Sequence, residues 1–212
     1  MEKVKIAVAK GRLADYAINL LHESGLDCSE LQKPSRKLVF EIPEEGLEII
    51  LLKAADVPTY VEHGVVDVGI VGKDTLLEAD KQLYEVLDLK FGKCKFAVAG
   101  KVDLPYNKMK HLTVASKYTN VTKKFFAEKG QSVEVIKQEG SVELAPIMGL
   151  ADVIVDIVET GKTLKENGLI VLEDVAQISA RLVVNKVSFK TKKKKVTALI
   201  ERISKEIDKG EK

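Results

Sequence analysis

The run Asp156-Ile157-Val158-Glu159-Thr160-Gly161-Lys162-Thr163 sets an acid near the end of an apolar stretch, then a hydroxyl, a glycine, a cation and a second hydroxyl. An apolar strand feeding such a turn and then a helix leaves backbone N–H groups exposed where the helix start carries positive partial charge. Gly161 lets the backbone approach a ligand closely, and Thr160 and Thr163 add hydroxyl donors. This composition suits phosphate binding. An ordinary strand-to-helix turn capped by a threonine uses the same residue types. Gly161-Lys162-Thr163 also looks like the end of a P-loop. A P-loop carries glycine five residues before its Gly-Lys pair, and Asp156 stands there instead. Lys10-Gly11-Arg12 is a second basic element between an apolar run and a helical pattern. Arg grips phosphate oxygens bidentately and Lys acts as a point charge; a solvated basic turn has the same make-up. His22, His63 and His111 are scattered, with no metal-ligand spacing and no nucleophile–base pairing.

Positioning these residues requires a packed scaffold. The chain has 212 residues, 45% hydrophobic and 31% charged, enough for one large domain or two small lobes. Its net charge of +2, from 34 basic and 32 acidic side chains, argues against a general nucleic-acid binder. Trp is absent, and five Tyr and six Phe give little material for stacking bases. No apolar run approaches the ~18 residues of a membrane span. Met1 to Ala9 shows no signal-peptide pattern, so a cytoplasmic location is expected, with no membrane partner. Cys28 and Cys94 are far apart and read as reduced, partly buried thiols.

Short apolar runs alternate with helical patterns, which predicts α/β architecture. Strands are expected at Lys5–Ala9, Lys37–Ile42, Leu47–Leu52, Val66–Val71, Lys95–Ala99, Leu112–Ala115, Val133–Lys137, Val153–Val158, Ile170–Leu172 and Leu182–Val184. Helices are expected after Arg12, from a cap at Asp56, near Lys73, over Asn120–Lys129 and Val142–Met148, and after Gly161. Val196, Leu199, Ile200, Ile203 and Ile207 form a final helical stripe. The five lysines and one threonine of Lys190 to Lys195 read as a solvated loop before it, or as a surface for an acidic partner. Gly64-Val65-Val66-Asp67-Val68-Gly69-Ile70-Val71 echoes Gly149-Leu150-Ala151-Asp152-Val153-Ile154-Val155-Asp156, and a Gly-Lys turn with Thr-Leu follows each. Two similar lobes flanking a cleft would explain the echo, and so would chance. Residues 1–92 with 183–212 are expected to form one lobe and 93–182 the other, with crossings near Lys90–Lys95 and Gln177–Val183.

Together these segments resemble the ATP phosphoribosyltransferase family. The likeness rests on Lys10-Gly11-Arg12-Leu13, Asp56-Val57-Pro58-Thr59-Tyr60-Val61, Gly64 to Gly72, Gly140-Ser141-Val142-Glu143-Leu144-Ala145-Pro146 and the stretch Glu143 to Leu164. Ala9 departs from the proline that many relatives carry there, and Val155-Asp156 departs from the two adjacent acids of many phosphoribosyltransferases. The resemblance implies two α/β lobes with a central cleft, similar to type II periplasmic binding proteins. It implies condensation of ATP, through adenine N1, with phosphoribosyl pyrophosphate (PRPP), the first step of histidine biosynthesis. It places PRPP at Glu159, Thr160, Gly161, Lys162 and Thr163, with Asp156 and Glu143 near the ribose. It places the ATP polyphosphate near Lys10, Gly11, Arg12, Lys53, Asp67 and Gly72, with Lys10 and Arg12 as electrostatic contributors to catalysis. Mg2+ would arrive mainly through the PRPP pyrophosphate, without direct protein ligands. Ending at Lys212, the chain is similar to the short form, which lacks a regulatory domain. Such subunits build homodimers and work with a histidyl-tRNA-synthetase-like regulatory subunit in a hetero-octamer. A non-catalytic binding protein for a small anion is the competing reading, and a nucleotide hydrolase a third.

Overall fold

A computed structural model describes residues 3–210. Met1 and Glu2, at the head of the first expected strand, and Glu211 and Lys212 lie outside them. The chain divides into two units. One runs to Gly92 and resumes at Ser179, and the other spans Lys93–Ile178. The second boundary lies ahead of residue 183 because Ala180–Val184 is a single strand of the first unit's sheet.

In chain order the first unit contains β1 (Val4–Ala9), α1 (Arg12–Glu23), β2 (Val39–Ile42), β3 (Leu47–Leu52), α2 (Val57–Glu62), β4 (Val68–Gly72), α3 (Lys73–Ala79) and β5 (Tyr84–Asp88). The second contains β6 (Cys94–Gly100), β7 (Leu112–Ser116), α4 (Thr119–Glu128), β8 (Val133–Lys137), α5 (Leu144–Met148), β9 (Val153–Val158), α6 (Lys162–Glu166) and β10 (Ile170–Ile178). The first unit then closes with β11 (Ala180–Val184), α7 (Ser188–Thr191) and α8 (Lys193–Gly210).

The first sheet has the order β2-β3-β1-β4-β11-β5, with β3, β1 and β4 parallel. Side chains alternate across it. Ile6 and Val8 join Leu21 of α1 and Val196, Leu199 and Ile203 of α8 in one core. Ala7 and Ala9 meet Val57 and Val61 of α2 on the opposite face. Gly69 permits that second contact. A Cβ there would lie 2.8 Å from Val61 Cγ2 and 2.9 Å from Val57 Cγ1, well inside the carbon–carbon optimum of ~3.5–4.0 Å. Asp56 makes no side-chain capping bond, and α2 instead grows out of a 3₁₀ turn at Ala54–Asp56 with Pro58 in its first turn.

The second sheet has the order β10-β6-β9-β7-β8, in which β9, β7 and β8 are parallel, β6 runs antiparallel to β9, and β10 runs antiparallel to β6. β10 runs well past the expected Leu172. Its polar residues hide it from hydrophobic patterning, because Glu173 binds Tyr106 and Lys129, and Asp174 pairs with Lys95 at 2.5 Å. β5 is likewise an unanticipated edge strand, half-exposed and carrying Glu85 and Asp88.

The internal echo is a repeated structural device. In the first unit, Asp67 N–H donates to the Lys5 carbonyl at 2.9 Å, and Asp67 Oδ2 accepts from Lys5 N–H at 2.8 Å. In the second, Asp152 N–H donates to the Thr113 carbonyl at 2.9 Å, and Asp152 Oδ2 accepts from Thr113 N–H at 2.8 Å. Each aspartate thus ties together the amino ends of two parallel strands, β1 with β4 and β7 with β9.

Asp67, expected beside the nucleotide, is taken up here by structural partners. Asp67 is 3% exposed and also accepts from Ser188 Oγ at 2.6 Å and Lys192 Nζ at 2.9 Å. It sits at the amino edge of the sheet, the full length of β4 away from Gly72, ~16 Å at strand rise. The same contacts correct the reading of Lys190–Lys195 as a loop. Lys190 and Thr191 end α7, Lys193 to Lys195 open α8, and Lys192 in the turn between them reaches Asp67 and the Lys3 carbonyl, each at 2.9 Å. Replacing Asp67 by Ala removes the acceptor of the Lys5 amide and of Ser188 Oγ and the carboxylate partner of Lys192. It is expected to lower unfolding free energy by about 3 kcal/mol, read as a fall in the urea midpoint, with Asp67→Asn losing less.

Candidate active site

β9 is a nearly unbroken β-branched run, and Val153, Ile154 and Val155 are fully buried between β6 and β7. Its last turns carry Asp156 out toward the carboxyl edge. The chain then makes the Glu159-Thr160-Gly161 turn into α6. Gly161 has φ 72°, a left-handed conformation that side chains resist. A Cβ there would meet only Val158 Cγ1 at 3.8 Å, so the backbone angle and not crowding within the protein selects glycine. Lys165 N–H donates to the Gly161 carbonyl at 3.1 Å, and buried Leu164 plugs α6 into the core. The turn is therefore held from both sides. In the first unit the helix follows Gly72 directly, so this turn is what the second unit adds to the shared pattern.

A cavity of about 250 Å³ opens at the turn. Glu159, Thr160, Gly161, Lys162 and Thr163 form one wall, and Asp156 and Glu143 form another. Its floor is apolar: Ile154, Val158, Ala97 and Ala99. Ala97 pairs with Asp156 and Ala99 with Ile154 across β6 and β9, so two small side chains make the room. Burial pushes the Asp156 carboxyl above its ordinary pKa, and Glu143 adds to the rise. A hydrogen bond from the Ile157 amide and the Lys117 charge act the other way. Glu143 stands at the start of α5, just after Ser141, which holds φ 48°. Of the expected PRPP residues, all seven line this one cavity. The alanine floor and Lys117 were not anticipated. The alternating Ala97 and Ala99 in an otherwise bulky strand were the available signal.

The remaining basic residues gather in the first unit at the carboxyl ends of its parallel strands. Ala9 pairs with Leu52 in β1 and β3, which sets Lys10 and Lys53 side by side just beyond them. Lys10 N–H donates to the Leu52 carbonyl at 2.7 Å, and Gly11 turns the chain at φ 103° into α1, which begins at Arg12. Lys10, Arg12 and Lys53 are exposed. Gly72 ends β4 on the same edge, where an added Cβ would collide with the Asp74 carboxylate. Ligands of open α/β sheets bind at such carboxyl edges.

A profile described as HisG: ATP phosphoribosyltransferase matches residues 53–205. The chain belongs to the ATP phosphoribosyltransferase family. An ATP phosphoribosyltransferase of Alkaliphilus metalliredigens is 63% identical over 204 residues, covering 96% of this chain and 98% of the relative. One from Clostridium kluyveri is 55% identical over 214 residues, covering 99% and 96%. Among solved structures, the ATP phosphoribosyl transferase (HisG:HisZ) complex from Thermotoga maritima matches with TM-score 0.84 and 35% identity, over 97% of this chain and 98% of that one. The substrate binding protein of an amino acid ABC transporter matches with TM-score 0.56 and 17% identity over 97% and 96%, a likeness of fold alone.

Two other reactive side chains in this family member have structural surroundings. His22 Nδ1 lies 3.2 Å from the Leu26 carbonyl, and burial pushes the Cys28 thiol up to about 11. The raised Asp156 pKa has a thermodynamic sign. Its contribution to stability is full below the ordinary carboxylate pKa and is lost as pH rises through the folded value. Asp156→Asn removes that burden. At pH 7 its melting temperature is expected to equal or exceed the wild type's, with the gain shrinking as pH falls toward 4, while PRPP binding weakens. Thermal scans across pH, with and without PRPP, measure both.

Proposed function

We propose that this chain is the short-form catalytic subunit that transfers the phosphoribosyl group of PRPP to N1 of the ATP adenine, releasing pyrophosphate at the first step of histidine biosynthesis. The observation that carries the site assignment is the glycine turn Glu159–Thr163 opening over a cavity whose other wall is acidic. The turn's amides and hydroxyls suit the 5′-phosphate. Asp156, with Glu143, suits the ribose hydroxyls, which donate hydrogen bonds to a carboxylate. Lys10, Gly11, Arg12, Lys53 and Gly72 form the edge proposed for the ATP polyphosphate.

Adenine N1 carries its own lone pair, so the attack needs no strong general base. The C1–N1 bond forms from that pair as the C1–O bond breaks and its electrons leave with pyrophosphate. Orientation of two bound substrates supplies ~7–11 kcal/mol in favourable cases, and cationic side chains stabilise the departing charge. Mg2+, when bound, neutralises the pyrophosphate as a Lewis acid. It takes oxygen ligands, which the substrate provides. The described residues contain no cluster of three His, Cys, Asp or Glu that would hold it alone.

The Thermotoga maritima relative was solved as a HisG:HisZ complex. We infer a comparable separate regulatory subunit here, histidyl-tRNA-synthetase-like, joining catalytic homodimers in a hetero-octamer. No helix among the described residues is long and apolar enough to cross a membrane, and we place the enzyme in the cytoplasm.

The decisive experiment incubates the chain with ATP, PRPP and Mg2+, with and without such a partner, and follows phosphoribosyl-ATP and pyrophosphate by mass spectrometry. Product is expected, and its absence beside a competent partner would leave only a binding protein. Gly161→Ala strains the turn by about 1 kcal/mol. It should raise the KM for PRPP about fivefold or more while leaving the KM for ATP unchanged. An unaltered PRPP KM removes the turn from the site.

A further inference from the structure

The two edges of β9 are held unequally as the strand approaches Asp156. On the β6 side the ladder is continuous, from Val153 opposite Gly100 to Val158 opposite Lys95, with Asp156 opposite Ala97. On the β7 side Val114 pairs with Val153 and Ala115 with Ile154, and the pairing stops there. β7 ends at Ser116, and Lys117 lies in a bend that leads into α4. Backbone pairing alone would thus leave β9 with one neighbour just before its acid. The Asp156 carboxyl takes a hydrogen bond from the Ile157 amide, so its direction follows the local backbone.

The Ser116 side chain fills the gap. Its Oγ donates to the Val155 carbonyl at 2.6 Å and accepts from the Tyr118 amide at 2.9 Å. A serine hydroxyl carries one proton, so accepting from Tyr118 leaves that proton aimed at Val155. Short hydroxyl side chains stand in for backbone groups in this manner. Ser116 is also a fixed reference. It is fully buried, and its carbonyl accepts from the Gln138 amide at 3.0 Å, just beyond β8. The Tyr118 ring packs edge-on against Phe96 of β6, with centroids 4.7 Å apart, which seats the bend against the sheet. Val155 is therefore gripped from both sides at the residue before Asp156.

We infer that Ser116 is a positioning residue for Asp156, its hydroxyl holding the Val155 peptide so that the next residue's carboxylate stands correctly at the cavity wall. The inference rests on the reading of Asp156 as the acid that receives the ribose hydroxyls, and it adds a residue that itself touches no substrate. Hydrogen bonds weaken steeply as their angle and length depart from the optimum. A Val155 peptide free to tilt would pass that error directly to the carboxylate.

In the full chain, Ser116→Ala deletes the donor without adding bulk. It is expected to raise the KM for PRPP about fivefold, the size of one lost hydrogen bond, and to leave the KM for ATP within about twofold of wild type. Ser116→Cys keeps a weaker donor at the same place and should fall between. Thr122→Val controls for general loosening, because buried Thr122 Oγ1 donates to the Tyr118 carbonyl at 2.7 Å on the α4 side of the bend. It should lower the melting temperature about as much as Ser116→Ala does, with the KM for PRPP within about twofold of wild type. Asp156→Asn is measured alone and combined with Ser116→Ala. A residue that acts through Asp156 loses its effect once the acid is gone, so the double variant should exceed Asp156→Asn by less than about twofold in the KM for PRPP. An unchanged KM for PRPP in Ser116→Ala overturns the inference. So does the full rise repeated on the Asp156→Asn background, or the same rise in Thr122→Val, each of which reduces Ser116 to a general structural contact. An unchanged KM for PRPP in Asp156→Asn alone overturns the ribose reading itself, whatever Ser116→Ala shows.

Discussion

Two hydrogen bonds between Asp152 and Thr113 decide what reaches the other end of β9. A strand is nearly inextensible, at ~3.3 Å per residue, so tying its amino end to β7 sets the height at which every later residue arrives. With that register Asp156 emerges over Ala97 and beside the end of β7. A slip of one residue would turn Asp156 to the opposite face and put Val155 or Ile157 over the cavity. The acid that does the tying is far from the chemistry. The first unit makes the same tie with Asp67, where Ser188 and Lys192 bring α7 and the start of α8 to the same anchor.

The turn after Asp156 depends on a second constraint, the burial of Leu164. Because that side chain is seated in the core, α6 and the Gly161 conformation exist before any ligand arrives. A ligand taken up at a turn fixed in this way orders little further chain, which lowers the entropic cost of association. The apolar floor has a complementary effect. Ala97 and Ala99 leave space without offering polar groups, so the Asp156 carboxyl is partly stripped of water and its charged form is disfavoured.

Much of this was legible from residue patterns because the decisive pieces are local. The apolar runs Leu47–Leu52, Val133–Lys137 and Val153–Val158 coincide with β3, β8 and β9, and the acid-to-glycine turn declares its own geometry. What stayed hidden depends on partners distant in sequence. β10 and β5 carry charges that are satisfied across the sheet, so their alternation is masked. The lysine-rich segment Lys190–Lys195 reads as a loop from composition, whereas it spans the end of α7 and the start of α8. Asp67 itself was drawn to the nucleotide edge by its nearness in sequence to Gly72, whereas a strand separates the two.

The order of strands in the first sheet has a consequence for how the protein is made. β11 lies between β4 and β5, yet it is the last strand to leave the ribosome. Until Ala180–Val184 emerges, β4 offers an unpaired apolar edge, an invitation to wrong pairings. The second unit is a continuous stretch of chain and has every strand it needs by Ile178. The later half of the polypeptide can thus be finished while the earlier half still waits. A nascent chain arrested before β11 holds a completed second unit while the first sheet is still open, and the second crossing of the chain serves as the closing stitch.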